Sequence, residues 1–381
     1  MIKKRRFNLF RKTSSEHEAD QGLLYTIGGL IVFGLVVLSS ASAVTSYAKF
    51  GSSYHYFNRQ ILFLVIGLIL FYFFSKIDYR FWKRHAFAFL GFSCFLLALV
   101  FIPGLAAGHG SAQSWITVFG FSIQPSEFVK VSFLIYLAAW LESRKRELHD
   151  VRQGIGPFLI VLFVIASLMI MQPDIGTLFI IAATSLIIYF IGGGKISHIV
   201  IIMLLASISI FVMAYLMPYQ MNRFKCVLEK DFGAQEECYQ LNQSLIAVGS
   251  GGFWGRGIGQ SRQKFLYLPE VSSDSIFAVI AEEVGFVFSS IFFILYLVLF
   301  YRGILIAKYA PDDFGRLLAT GIVSWLIIQT FLNIGGVVGM IPMTGVPLPF
   351  VSQGGSSLIS ALIAFGILVN ISKQTKFVIS S

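Results

Sequence analysis

Residues 317–372 decide the fold class: they read LLATGIVSWLIIQTFLNIGGVVGMIPMTGVPLPFVSQGGSSLISALIAFGILVNIS, without one charged side chain. A membrane-spanning helix needs about 20 apolar residues, so this stretch predicts two such helices, at 317–341 and 355–371. Residues 342–354 between them hold three prolines and two glycines. Irregular backbone at membrane depth must be packed in protein or line a polar cavity. We therefore predict that 342–354 is a partly re-entrant cavity wall.

The rest of the chain has a similar composition. Of the 381 residues, 56% are hydrophobic and 13% charged, and the mean hydropathy is +0.78. A soluble globular domain carries about 25% charged residues, so that class is excluded. Eight further apolar stretches can cross a membrane, the shorter ones with help from their flanks: 23–44, 60–75, 86–103, 127–141, 154–172, 177–192, 197–217 and 276–301. We predict an all-α polytopic membrane protein of ten transmembrane helices, with a large extracytoplasmic loop, 218–275, between helices seven and eight.

The distribution of Lys and Arg predicts the orientation. Ten crossings put both chain ends on one side, which carries 20 of the 29 Lys and Arg residues, whereas the other side carries 8 and Lys130 lies within a span. Because positive residues favour the cytoplasmic side, we expect a cytoplasmic tail at 1–22, a membrane domain at 23–371 and a cytoplasmic tail at 372–381. The net charge of +10 then follows from membrane orientation and does not imply a nucleic-acid partner.

Ionisable side chains within spans are costly, so they mark candidate sites. Glu127 and Lys130 are three residues apart on one predicted helix, where they can meet. They form either a self-neutralised structural pair or a contact for substrate. Asp174 follows Pro173 at the outer end of the fifth span. It is either helix punctuation or a partner of Lys130 in binding an anionic lipid head group.

Four carboxylates lie at or just before the start of the eighth span. Asp274 directly precedes the apolar run, so it is either an ordinary N-cap or a carboxylate held at the outer boundary of the membrane. With Glu270 four residues earlier, it could supply a general base and a metal ligand. Glu282 and Glu283 are adjacent and cannot share one helix face, so we expect at least one of them to bond another helix.

The outer loop contains a glycine-rich stretch, 249–259, followed by Arg262 and Lys264. It follows no βαβ pattern, so it is not a nucleotide fold. It is either a flexible loop with solvated charges or a backbone that approaches a diphosphate closely. Cys226 and Cys238 in the same loop form either a bridge or two free thiols.

Six ordered motifs carry a resemblance to a known family: Gln124-Pro-Ser-Glu-Phe-Val-Lys130, Gln172-Pro-Asp-Ile-Gly-Thr177, Gln243-Ser-Leu-Ile-Ala-Val-Gly-Ser-Gly-Gly252, Gly259-Gln-Ser-Arg-Gln-Lys-Phe-Leu-Tyr-Leu-Pro-Glu270, Phe277-Ala-Val-Ile-Ala-Glu-Glu283 and Pro347-Leu-Pro-Phe-Val-Ser-Gln-Gly-Gly-Ser-Ser357. The sequence resembles the SEDS family of cell-wall proteins (FtsW, RodA and SpoVE), most closely its FtsW branch. The resemblance runs from the first predicted span to the tenth.

This resemblance implies a GT-C-like ten-helix fold and a peptidoglycan glycosyltransferase that polymerises lipid II in the bacterial cytoplasmic membrane, at the division septum. It implies membrane lipids, a class B penicillin-binding protein and divisome proteins as partners. The family's essential acid falls on Asp274, which we expect to be catalytic. The residues expected to bind substrate are Lys130, Glu127, Asp174, Arg59, Trp115, Glu270, Lys264, Arg262 and Ser352. The cofactor expectation is limited to a divalent cation, Mg²⁺ or Mn²⁺, on Asp274 and Glu270.

The chain departs from the family pattern beside the key acid. The family usually has histidine where this chain has Ser272, phenylalanine where it has Ser275, and tyrosine where it has Gln353; an arginine before Trp115 is lost as well. A lipid II flippase is the main rival function, an elongation-type (RodA-like) polymerase is a further alternative, and a non-catalytic division scaffold is another. No inverted repeat, which would favour a transporter, is evident in the sequence.

Overall fold

Apolar helices form most of the protein. The structure, a computed structural model, describes residues 17–102, 106–109, 112–118, 120–204, 207, 218–229, 233 and 238–375. The predicted tails therefore lie largely outside the described residues. The helices are α1 (Gln21–Ala41), α2 (Ala43–Phe50), α3 (His55–Lys76), α4 (Tyr79–Arg84), α5 (Ala86–Leu99), α6 (Pro125–Ser143), α7 (Gly156–Ile170, preceded by a π-helical turn at Val151–Ile155), α8 (Ile175–Ile191), α9 (196–204), α10 (Pro218–Leu228), α11 (Tyr239–Gly251), α12 (Ile276–Tyr309), α13 (Asp313–Val337) and α14 (Gly355–Ser372).

Six of the described helical segments are long and apolar enough to cross a membrane, and α5 and α8 are shorter apolar helices. The six are α1, α3, residues 151–170, α12, α13 and α14. The chain is thus a mostly helical, multi-pass membrane protein. Most of the predicted span at 197–217 lies outside the described residues beyond α9.

Two helices form the centre of the bundle. Within the apolar 18-residue stretch of each helix, 72% of the residues are buried in α13 and 83% in α14, against 17% in α3. α14 packs along α3, where a Cβ added to Gly67 would lie 2.5 Å from Leu362 Cδ1 and one added to Gly366 would lie 2.7 Å from the Phe71 carbonyl oxygen. Small residues let helix backbones approach closely within a membrane. Polar residues of α13 and α14 are therefore enclosed by protein.

The loop after α5 corrects the all-α expectation. Strands β1 (Ala106–His109), β2 (Ala112–Val118) and β3 (Phe121–Ile123) pair as a small antiparallel sheet. The loop is uncharged, and β2 carries a tryptophan, an isoleucine, a threonine and a valine, residue types that favour strands. The sheet places Trp115 opposite Ala107.

The glycine-rich loop has a structural explanation that neither interpretation of its sequence included. α12 is interrupted at Gly285, whose φ is 75°. The loop backbone fills the interruption: Phe286 N donates to Gly252 O at 2.9 Å, and Gly257 N donates to Glu283 O at 2.9 Å. A Cβ on Gly255 would lie 2.3 Å from Glu283 O, so only glycine permits this approach.

The irregular segment 342–354 is packed inside the protein, as its sequence requires. Leu348 and Val351 are buried. The α13 amide of Gln329 donates to Pro347 O at 2.8 Å, and that of Asn333 donates to Val346 O at 2.8 Å. Side chains of α13 thus satisfy carbonyls that have no partner in a regular element. Re-entry of this segment into the bilayer stays a prediction.

A disulfide joins Cys226 of α10 to Cys238, the residue before α11, with Cα atoms 5.4 Å apart. The bridged alternative for these two cysteines is therefore confirmed. A disulfide is typical of an oxidising compartment, which fits the predicted position of this loop outside the cytoplasm.

Candidate active site

Asp274 lies in the turn directly before α12, but it does not cap the helix. The N-cap position is Ser275, and no side-chain hydrogen bond is made there, so the N-cap interpretation of Asp274 is wrong. The main-chain oxygen of Asp274 accepts a hydrogen bond from Asn333 Nδ2 at 2.8 Å. Within the described part of the chain, the structure shows no hydrogen bond to its carboxylate. Among the described residues the carboxylate thus has no fixed hydrogen-bond partner and can serve as a reactive group.

The surroundings of this carboxylate combine burial with one cation and one further acid. A Cβ added to Gly345, whose φ is 73°, would lie 3.4 Å from Asp274 Oδ2. The positive charge of Arg223 in α10 acts on Asp274, and its guanidinium donates from Nη1 to Met343 O at 2.7 Å. Burial raises the pKa of Asp274 to about 7, Glu270 adds to the rise, and Arg223 opposes it. A carboxyl group with a pKa near neutrality suits a general base.

Arg223 and Asn333 were missed in the sequence. Arg223 lies in the cysteine-containing part of the loop, which matches no quoted motif, so no signal pointed to it. Asn333 is a polar residue in the uncharged stretch 317–372, and that signal was available. Its buried amide bonds both Asp274 O and Val346 O, which links the turn before α12 to segment 342–354.

The predicted Glu127–Lys130 pair forms, and it is buried. Lys130 Nζ lies 2.8 Å from Glu127 Oε1, with 2% of each side chain exposed. The same ammonium donates to Gln329 Oε1 at 2.8 Å and lies 4.7 Å from the centre of the Trp325 ring. Glu127 also accepts from Ser360 Oγ at 3.2 Å. The geometry is that of a structural cluster joining α6, α13 and α14.

Asp174 is helix punctuation, and its partners differ from the expected lysine. Its carboxylate caps α8 by accepting from Thr177 N at 3.2 Å. It also accepts from Ser126 Oγ at 2.8 Å and Gln124 Nε2 at 3.1 Å. Its hydrogen bonds therefore tie the start of α6 to the start of α8, and the acid bonded to Lys130 is Glu127.

Lys264 also forms an ion pair and hydrogen bonds within the protein. Its ammonium lies 2.9 Å from Glu283 Oε1 and donates to Ser40 Oγ at 2.8 Å, with 5% of its side chain exposed. Glu282 accepts from Ser261 Oγ at 2.6 Å and from Arg262 N at 3.0 Å. We expected these acids to bond another helix. Ser40 Oγ of α1 donates to Glu283 Oε1 at 2.7 Å and meets that expectation, but most partners come from the loop before α12.

The remaining predicted residues lie in different places. Glu270 and Arg262 are exposed. Ser352 is buried, and its hydroxyl donates to Ser273 O at 2.5 Å and accepts from Leu348 N at 2.8 Å. Arg59, one residue before the predicted span 60–75, lies within α3 with its guanidinium 5.4 Å from the centre of the Phe121 ring. The structure brings Asp274, Glu270 and the unpredicted Arg223 together, while Lys130 and Lys264 belong to separate buried clusters.

The described residues include no group of three or more His, Cys, Asp or Glu side chains placed to hold a metal ion. Asp274 and Glu270 offer two carboxylates. Mg²⁺ commonly uses one or two carboxylates when substrate phosphates and water complete its shell. The chemistry of the two side chains is compatible with such a cation, so the divalent cation stays an expectation.

Comparison with known protein families gives a match over nearly the whole chain. The model of the FtsW, RodA and SpoVE family, described as "Cell cycle protein", matches residues 21–377. The chain belongs to this family. Stage V sporulation protein E of Bacillus subtilis is 40% identical over 348 residues, covering 91% of this chain and 95% of that protein. A probable peptidoglycan glycosyltransferase FtsW of Geobacter sp. is 37% identical over 348 residues, with the same coverage.

Solved structures of the family share this fold. A chain from a peptidoglycan synthase complex that coordinates polymerization and crosslinking has a TM-score of 0.76 and 26% identity, over 93% of this chain and 97% of that chain. The rod shape determining protein RodA of Thermus thermophilus has a TM-score of 0.69 and 26% identity, over 93% and 96%. The family model and the solved structures therefore match the same stretch of this chain, which is nearly its whole length.

Proposed function

We propose that this protein is a peptidoglycan glycosyltransferase that polymerises lipid II on the outer face of the cytoplasmic membrane, with Asp274 as general base. The observation that carries the base assignment is a partly buried carboxylate beside α12 that is neither a cap nor an ion-pair partner in the described residues. The relatives named as probable peptidoglycan glycosyltransferases support the reaction class.

The proposed chemistry requires one proton transfer. The 4-hydroxyl of an acceptor N-acetylglucosamine attacks the anomeric carbon of a donor N-acetylmuramic acid, undecaprenyl diphosphate leaves, and the configuration inverts. A sugar hydroxyl is a weak nucleophile, so a base within about 3 Å is needed to take its proton. Asp274 takes that proton in its ionised form, which its pKa of about 7 makes available at neutral pH.

The diphosphate needs positive charge as it leaves. Lys130 and Lys264 are buried and already paired with acids, so they are poor candidates for direct contact. Arg223, whose charge acts on Asp274, is a candidate for this contact, and Arg262 is an exposed cation of the same loop. If Mg²⁺ or Mn²⁺ takes part, Asp274 and Glu270 are the residues that would hold it, and it would supply charge to the leaving group.

The topology that fits this function has ten crossings, the large loop between helices seven and eight, and both termini in the cytoplasm. Contacts between the chain ends support termini on one side: His17 N donates to Lys373 O at 3.0 Å, and Asp20 N donates to Ser372 Oγ at 3.3 Å. We further propose a role in septal synthesis with a class B penicillin-binding protein and divisome proteins. The structural likeness to a polymerizing and crosslinking complex supports such a partner.

Polymerisation by the purified protein in detergent tests the proposal. The full chain, with its partner transpeptidase, is incubated with lipid II, and glycan strands are separated by gel electrophoresis. Detergent micelles enclose no second compartment, so a flippase or a scaffold would yield no polymer. Glycan strands that require this chain, and not the partner alone, are the expected result; their absence would refute the function.

A further inference from the structure

The turn that carries Asp274 is held by hydrogen bonds to three successive carbonyls. Ser272 O accepts from Gln353 N at 2.8 Å, and Ser273 O accepts from Ser352 Oγ at 2.5 Å. Asp274 O accepts from Asn333 Nδ2 at 2.8 Å. We call the three donors, Asn333, Ser352 and Gln353, the carbonyl clasp. None of these bonds belongs to a helix or a sheet, so they are specific to the position of this turn.

The clasp is anchored in the helical bundle. Asn333 and Ser352 are each 4% exposed. Gln60 of α3 holds the far side of the clasp, because its amide donates to Ser352 O at 3.3 Å and its carbonyl accepts from Gly354 N at 3.2 Å. The donors are therefore fixed by α13 and α3, and they transmit that fixed position to the turn.

A side-chain contact completes the clasp at two positions where this chain departs from its family's pattern. Ser272 Oγ donates to Gln353 Oε1 at 2.6 Å. Residues 272 and 353 are far apart in sequence, yet the two departures meet. A serine hydroxyl and a glutamine amide stand where the family usually has the rings of histidine and tyrosine. Because a hydrogen bond joins them, the two positions form one unit in this chain.

We propose that the carbonyl clasp, closed by the Ser272–Gln353 contact, is a set of positioning residues that fixes the carboxylate of Asp274 for proton transfer. The proposal rests on the proposed function, since it takes Asp274 as the base. A reacting group misplaced by about 1 Å can cost on the order of a hundredfold in rate. The clasp acts on the backbone of the turn and does not touch the substrate.

The test uses the purified full chain with its partner and compares kinetics of lipid II polymerisation. Ser272→Ala and Gln353→Leu each remove the hydrogen bond between the two side chains. The double variant loses that same single hydrogen bond and no additional one. We expect each to lower kcat about tenfold with KM changed less than about twofold, and the double variant to be no worse than either single. Ser272→Thr keeps the hydroxyl and should restore most of kcat.

A pH profile separates positioning from general structural damage. Loosening the turn lets water reach Asp274, so its pKa falls toward that of a solvated carboxyl group. The acid limb of the kcat profile should then move by about half a pH unit to lower pH in both variants. Ser250→Ala is the matched control, since its hydroxyl donates only to Ala247 O in its own helix. Its kcat and pH profile should equal those of the unmodified protein.

The outcomes are distinguishable from failure of the proposed function. An unmodified protein that makes no polymer refutes the function itself. Polymerisation that persists in Asp274→Asn refutes the base, and with it the clasp. If Asp274→Asn is inactive while Ser272→Ala and Gln353→Leu keep the unmodified kcat and pH profile, or their losses multiply in the double variant, only the clasp is refuted. Thermal midpoints of the Ser272, Gln353 and Ser250 variants within about 2 °C of the unmodified protein show that they are folded.

Discussion

Two groups of carboxylates at the start of α12 have opposite environments. Glu282 and Glu283 are buried and bonded on several sides, with Ser261 Oγ at 2.6 Å from Glu282 and Lys264 Nζ at 2.9 Å from Glu283. Asp274, at the same end of the helix, caps nothing, and the described residues give its carboxylate no hydrogen bond. Acids of the same chemical class thus divide into those that hold the fold and one that is available for a reaction.

The difference follows from how the loop folds back. The glycine-rich stretch exchanges backbone hydrogen bonds with α12 around Gly285, which brings the residues after it onto the two glutamates. The loop then runs past them to the turn before α12, where no further cation of that stretch remains. Sequence position alone could not show this, because Lys264 lies closer to Asp274 along the chain than to Glu283.

The largest expected effect is on activity at the unbonded acid. Asp274→Asn keeps the shape but removes the base, so polymerisation should fall by about 10³-fold or more, since general bases contribute on the order of 10²–10⁴. Initial rates on lipid II give the measurement. Partner binding should be unchanged, and thermal stability should not fall. A variant that polymerises at near the unmodified rate would remove Asp274 from the mechanism.

The next effect is on stability at the bonded acids. Glu283→Ala leaves the Lys264 ammonium buried without its acid, a change that costs about 3–5 kcal/mol. Thermal unfolding in detergent should show a large drop in midpoint. The control is Glu229→Ala, at an exposed position after α10, which should shift it little. Replacing both Lys264 and Glu283 by methionine should recover part of the loss; a midpoint for Glu283→Ala equal to that of the control would contradict the comparison.

A smaller effect is expected at the docked loop. A Cβ on Gly285 would lie 2.2 Å from Gly255 N, and its φ of 75° disfavours any side chain. Gly285→Ala should destabilise the protein by about 1–3 kcal/mol. Gly249→Ala is the matched control, since a Cβ there meets nothing within 4 Å and lies in α11. Equal midpoints for the two variants would show that the loop does not dock on α12 in this way.

The smallest effect is a pH dependence that separates activity from stability. The folded pKa of Asp274 is raised to about 7, so kcat/KM should rise about tenfold per pH unit below 7 and level off above it. Stability runs the other way: this group's contribution is full below its unfolded pKa, near 4, and is lost as the pH rises through 7. Asp274→Asn should therefore gain stability relative to the unmodified protein between pH 5 and 8; parallel stability curves would argue against a raised pKa.

Hydropathy predicted most of the helices in this fold, because a membrane-spanning helix requires a long apolar run and such a run can be recognised in the sequence. The i, i+3 spacing predicted the Glu127–Lys130 pair for a similar local reason. The partners of Glu282 and Asp174 could not be predicted, since they depend on which distant segments meet. The small sheet around Trp115 was also missed, because its strands are short and their loop was judged by its lack of charge.

Segment 342–354 has one more consequence. Gln329 and Asn333, one turn apart on α13, each hold one of two adjacent carbonyls, Pro347 O and Val346 O. Connections between helices usually accept added or deleted residues readily. Here a change of one residue in length would move both carbonyls out of register with α13, and would pull the turn of Asp274 with them. We expect sequence drift at this connection to proceed by substitution at constant length.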